Sequence, residues 1–154
     1  LSATFAKRLT MHDLIEIACM KAVQFDSCLF RKGFTLAKRS ENPVNSAYVY
    51  VYQQDTYFSD LTNASALIEI ICNGRFGIVV FQQCSIDHFR ALRKELIQLG
   101  FQAAPETDSE LTRRRIYFKD NLVVSFKPVD RSNGIAGNYR GYSVSIHHSR
   151  SLPF

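Results

Sequence analysis

Four histidines, four cysteines and a scatter of acids are the residues of this chain that chemistry would need. His12 and His88 stand in the first turns of two predicted helices, where the helix dipole slightly destabilises a charged imidazole. His147-His148 ends the last predicted strand. Successive side chains of a strand point to opposite faces, so these two rings do not chelate one ion together. Cys19, Cys28, Cys72 and Cys84 form no Cys-x-x-Cys pair and no zinc-type spacing with a histidine. Cys84 lies just ahead of the second helix, where free amides favour a thiolate, and is the best of the four as a nucleophile. An enzyme would need it, His88 or His147 to converge on one concave site. Asp55 and Asp60 share one polar loop, and Glu106, Asp108 and Glu110 share another, with no apolar setting to raise a carboxyl pKa. Neither Gly-x-x-x-x-Gly-Lys nor Gly-x-Gly-x-x-Gly occurs. Gly134-Ile135-Ala136-Gly137 has no helix after it to bind an anion. The expectation is a protein with no catalytic set, no metal site and no cofactor.

Composition narrows the class. A hydrophobic fraction of 46% is too high for a disordered chain, and 154 residues suit one domain, 1–154, with its own core. Twelve Phe and seven Tyr favour strands. No stretch of apolar residues is long enough to span a bilayer. The absence of a disulfide pattern points to buried free thiols in a reducing compartment, hence a cytoplasmic location. The net charge of +5 suits solubility and an anionic partner equally.

The elements that must position any site read as helix-then-strands, twice. Thr10 caps a helix with Asp13 at its third position, and apolar residues from Leu14 to Leu29 carry it to Gly33, unless it breaks near Gln24 to Ser27. Read as continuous, this helix would set Cys19 and Cys28 roughly 13 Å apart along its axis. Ser85 opens a second helix with the stripe Phe89, Leu92, Leu96 and Leu99, closed by Gly100. Strands are expected over 34–39, 47–54, 66–72 and 76–81, the last two joined at Asn73-Gly74. In the second half they fall at 101–104, 114–118, 122–126 and 142–146. The expected fold is α+β, one compact domain of two consecutive helix-then-antiparallel-strands units. It has about two main helices and seven to eight strands, with subrepeats 10–82 and 85–148 as a pseudo-duplication.

Two surfaces stand out. Tyr48, Tyr50 and Tyr52 share one face of a strand, with Val49 and Val51 on the other and Tyr57 in the adjoining loop. Tyrosine combines rigid apolar area with a polar tip and suits a protein interface. The competing reading covers this face with the helices. Arg113, Arg114 and Arg115 lead into a strand where Ile116 and Phe118 are expected inward and Arg115, Tyr117 and Lys119 outward, with Lys127 beside them. Arginines around an outward tyrosine suit single-stranded nucleic acid or an acidic protein. They equally suit an edge strand guarded against pairing.

These readings converge on a non-catalytic protein-binding domain that occludes a partner's surface, of the immunity, inhibitor or adaptor type. The partner would be a protein with an acidic face. The alternatives are an RNA- or DNA-binding module using the basic 113–119 strand, and a small enzyme or ligand carrier with a pocket between helices and sheet.

Overall fold

Thr10 opens the first helix as its sequence predicts. Its hydroxyl accepts from Asp13 N, while the Asp13 carboxylate accepts from Thr10 N and from Lys32 Nζ. The computed structural model describes residues 9–41, 45–52, 66–73, 76–83, 85–105, 114–129 and 141–149. Among these are helices α1 (Met11–Ala18), α2 (Phe25–Arg31) and α3 (Ile86–Gln98), with a 3-10 turn at Ala22–Gln24. The strands are β1 (Thr35–Glu41), β2 (Asn45–Tyr52), β3 (Ala66–Asn73), β4 (Phe76–Gln83), β5 (Gln102–Ala103), β6 (Arg115–Lys119), β7 (Leu122–Val129) and β8 (Gly141–His148).

The long first helix is a correction: it breaks after Ala18 and restarts at Phe25. Leu14, Ile17 and Ala18 are buried, but the stripe's next position is Lys21, which is exposed. A cation there offers nothing to bury, so the chain turns and re-aims Phe25, Cys28 and Leu29 at the sheet. The ruler that separated Cys19 from Cys28 therefore does not apply.

Both helical units end in the same way. Gly33 and Gly100 have φ of 89° and 92°, a left-handed conformation that glycine adopts without a Cβ penalty. Phe34 N donates to Leu29 O and Gly33 N to Phe30 O; Phe101 N donates to Leu96 O and Gly100 N to Ile97 O. These paired bonds satisfy carbonyls the helix leaves open, and each buries the following phenylalanine against the core.

All eight strands form one antiparallel sheet in the order β1-β2-β3-β4-β8-β7-β6-β5. The order is mirrored. Each unit lays its strands from an edge to the centre, and the last strands of the two units, β4 and β8, pair there. The three helices cover one face. Their buried residues join Tyr48, Tyr50, Ile68, Ile70, Val79, Phe81, Tyr117, Val124, Phe126, Val144 and Ile146 in one core. The Met11 amide donates to the Glu95 carboxylate at 2.9 Å, which fastens α1 to α3. Val124 and Phe126 of β7 and Val144 and Ile146 of β8 point into this core, and β3 is an interior strand apolar on both faces apart from Glu69.

The opposite face has a smaller apolar cluster of Val49, Val51 and Leu67 beside a polar strip. Ser125 and Ser145 share a hydroxyl hydrogen bond of 2.7 Å. Glu69 is half-buried on this face, and burial raises its carboxyl pKa while Lys38 only partly offsets the rise. A raised folded-state pKa means the unfolded chain ionises more readily. Stability is then present below the ordinary glutamate range and is lost as pH rises through the folded value. Glu69→Gln is accordingly expected to raise the urea midpoint at pH 7, with the gain shrinking towards pH 4. A midpoint that falls at pH 7 would show that the carboxylate is held by favourable contacts.

Candidate functional site

The tyrosines alternate with the valines as expected, but it is their face that the helices cover. Tyr50 is 2% exposed and Tyr48 is also buried, while Tyr52 is half-buried with its ring centroid 5.6 Å from that of Phe34. Phe25 meets Tyr48 edge-on at 5.8 Å. Each buried phenol finds an acid at the rim: Tyr48 donates to Glu41 Oε1 at 3.1 Å and Tyr50 to Asp26 Oδ1 at 2.5 Å. Burial and the Asp26 carboxylate push the Tyr50 hydroxyl well above its ordinary pKa, so it stays a donor. The ladder is core with hydrogen-bonded tips and is not an open contact surface. The physical reason is that α2 needs a broad apolar floor, and three phenol rings supply it. Tyr57 lies outside the described residues.

The basic strand is also corrected in phase. Arg115, Tyr117 and Lys119 do share one side opposite Ile116 and Phe118, but that side is the helix-covered one. Tyr117 is 6% exposed and meets Phe126 edge-on at 5.7 Å, while Phe118 faces away and is exposed. Lys119 Nζ donates to Leu99 O at 2.6 Å, so this cation caps the end of α3. Lys127 pairs with Ser143 and lies on the other face from Arg115, which pairs with Phe126. Arg114 and Arg115 are exposed, and Arg113 lies outside the described residues. No outward tyrosine stands among these cations in the described residues.

The titratable groups disperse. His88 bonds Leu9 O through Nε2 at 2.8 Å and sits edge-on to Phe81, on the helix side. It is half-buried, whereas His12 is exposed. His147 and His148 do point to opposite faces: His147 shares its side with Val123 and His148 with Leu122. His88 and His147 therefore cannot meet at one substrate, and Cys84 lies outside the described residues. Burial, with Arg114 and His148 nearby, holds His147 below the usual imidazole pKa, so it is neutral near pH 7. His147 Nε2 and Gln82 Oε1 are buried without a hydrogen bond on the helix-free face. Gln82 stands opposite Ser143 and His147 four residues further along β8, about 13 Å away, so they do not address one small ligand. His12, Asp13 and Glu16 bring donor atoms within 4.8 Å of one another. Asp13 is already committed to the Thr10 amide and Lys32, so this cluster is a helix cap.

No protein-family model, curated protein or solved structure matches this chain.

Geometry draws attention to the outer margin of the first unit. β1 is an edge strand, and its outer backbone groups pair with no strand among the described residues. Beside it a cavity of about 350 Å³ opens between α2 and β1, lined by Asp26, Phe30, Phe34, Thr35, Leu36 and Tyr50 among others. Phe30 is 71% exposed and Leu36 39% exposed at this cavity. Thr35 Oγ1 is buried there without a hydrogen bond. Arg31 is exposed on the neighbouring helix, whereas Lys38 lies on the other face of the sheet, towards Glu69. The sequence carries a signal for this patch. Phe30 follows Leu29 and lies about 100° off the stripe of Phe25, Cys28 and Leu29, an aromatic where the helix should be wet.

Proposed function

We propose that this is a non-catalytic protein-binding domain that captures an extended segment of a partner at β1. The observation that carries the reading is the exposed Phe30–Leu36 cavity alongside a strand edge that no described strand pairs with. A strand added outside β1 gains main-chain hydrogen bonds, and its alternate side chains fall towards α2, where the cavity receives an apolar anchor. Exposed Arg31 favours an acidic residue flanking that anchor and would act on association rate and salt dependence more than on affinity. Covering a segment of the partner in this way is occlusion, the mode of an inhibitor, immunity or adaptor protein. The dispersal of His12, His88, His147 and His148 supports the non-catalytic part.

A nucleic-acid reading retains exposed Arg114 and Arg115 but loses Tyr117 to the core as a stacking platform.

The test starts from proteins that copurify with the chain from native lysate and proceeds to titrations of the purified pair. Phe30→Glu is expected to weaken binding at least tenfold with the thermal midpoint unchanged, because the side chain is mostly in solvent. Amide exchange of Thr35–Glu41 is expected to slow in the complex. Binding that is indifferent to Phe30→Glu, or β1 amides that exchange as fast as in the free chain, would overturn the reading. Tight binding to random oligonucleotides that collapses with salt would replace it with the nucleic-acid alternative.

A further inference from the structure

α3 buries Leu92 and Leu96 against the sheet and turns a different kind of face outwards. At about 3.6 residues per turn, Ile86, Arg90, Arg93, Lys94 and Ile97 share an arc of roughly 100°. Arg90 and Lys94 are exposed and Arg93 is half-buried. None of these three cations forms an ion pair or hydrogen bond among the described residues. Arg90 and Lys94 stand at i and i+4, where like charges weaken a helix. Glu95, next in sequence, is turned away and accepts from the Met11 amide. The face therefore keeps its positive charge without an acid beside Arg90 and Lys94 to neutralise it.

Aliphatic side chains stand among these cations. Ile86 is 40% exposed, Ile97 54% and Leu99 37%. β6 runs alongside the helix. Phe89 of α3 meets Phe126 edge-on, Phe126 pairs with Arg115 at one end of β6, and Lys119 at the other end reaches Leu99 O. Arg115 and Lys119 are both exposed and extend the basic surface past the helix. Nucleic-acid bases stack on aromatic platforms, and the side chains exposed here are aliphatic. A helix ridge is also convex. A folded protein partner must supply a groove to match it, whereas a bilayer surface yields to it. Anionic headgroups meet the cations, and short aliphatic side chains sink to the boundary of the acyl chains.

We propose that α3 and β6 form a peripheral docking surface for an anionic lipid bilayer, with Ile86 and Ile97 entering the interface. Among the described residues no helix is long and apolar enough to cross a membrane, and this association needs none. β1 lies at the opposite edge of the sheet from the β6–β5 margin, so partner capture there and membrane docking here are independent. Either can fail without the other.

Cosedimentation of the full chain with phosphatidylcholine vesicles, with and without phosphatidylserine, tests this. The chain is expected to pellet only with the phosphatidylserine vesicles, and less as salt screens the cations. Arg90→Gln and Lys94→Gln are each expected to weaken partition about fivefold, and the pair roughly 25-fold. Ile97→Ser is expected to weaken it about fivefold, because less apolar surface leaves water. All three positions are exposed, so the thermal midpoints should match that of the parent chain. Lys127→Gln, a cation on the helix-free face, and Phe30→Ala, at the β1 cavity, are expected to leave partition nearly unchanged. No pelleting with phosphatidylserine vesicles, or equal pelleting with both kinds, would overturn the proposal. A loss for Lys127→Gln as large as that for Lys94→Gln would overturn it too, by reducing the effect to net charge. Retention on immobilised poly-glutamate without pelleting would reassign the face to an acidic protein.

Discussion

Phe81→Ala is expected to cost about 3–5 kcal/mol, the range for emptying a buried phenylalanine site. The residue is 2% exposed and lies on β4 between Ile68 of β3 and Val144 of β8. Its ring also meets His88 of α3 at 5.5 Å. It therefore joins both halves of the sheet and a helix, and no single neighbour can move into the space. Against a total stability of about 5–15 kcal/mol, such a loss brings the chain close to unfolding at room temperature. Urea unfolding followed by circular dichroism measures it. Phe30→Ala is the matched control, since its exposed ring should change stability by no more than about 0.5 kcal/mol. Similar losses for the two variants would mean the core is not where the burial places it.

Gly33→Ala and Gly100→Ala share a backbone problem and differ in their surroundings. Both impose a side chain on a left-handed residue, which costs about 1–2 kcal/mol. A Cβ on Gly100 would meet only the flexible end of Lys119, with Nζ 3.5 Å away. A Cβ on Gly33 would come within 2.5 Å of Tyr52 Cε2, a ring held against Phe34. That collision adds about 1–3 kcal/mol, as overpacking usually does. Gly33→Ala is thus expected to lose roughly 2–5 kcal/mol and Gly100→Ala about 1–2 kcal/mol. Equal losses would show that Tyr52 yields without cost. Gly33→Ala with Tyr52→Ala should recover part of the difference if the clash is its source.

The architecture is legible in the sequence where local chemistry is strong. Thr10 with Asp13, Ser85 ahead of His88, and the Gly-Phe endings each name a helix boundary through specific hydrogen bonds. Alternation on β2 and β8 sorts side chains onto two faces correctly. What alternation cannot do is say which face the helices will take. The tyrosines of β2 and the tyrosine of β6 end up inward because aromatic rings fill the wide space beneath short helices. The cations beside Tyr117 then find edges, as Lys119 does at the end of α3. The helix break escapes a reading that counts apolar residues. Met20, Ala22 and Val23 are apolar but out of phase once Lys21 occupies the stripe. Val23 is 88% exposed as a result. Phe30 and Leu36 show themselves only when α2 and β1 are set side by side.

The pairing of β4 with β8 sets the order in which the chain can be finished. As the polypeptide leaves the ribosome, β1 to β4 are complete while the partner of β4 is still unmade. The inner edge of β4, in the most apolar part of the sheet, has to wait through α3, β5, β6 and β7. An apolar strand edge left open in this way invites pairing with another nascent chain. The first unit is therefore a poor candidate for folding on its own, and β8, made after β5, β6 and β7, is the strand that joins the two halves of the sheet.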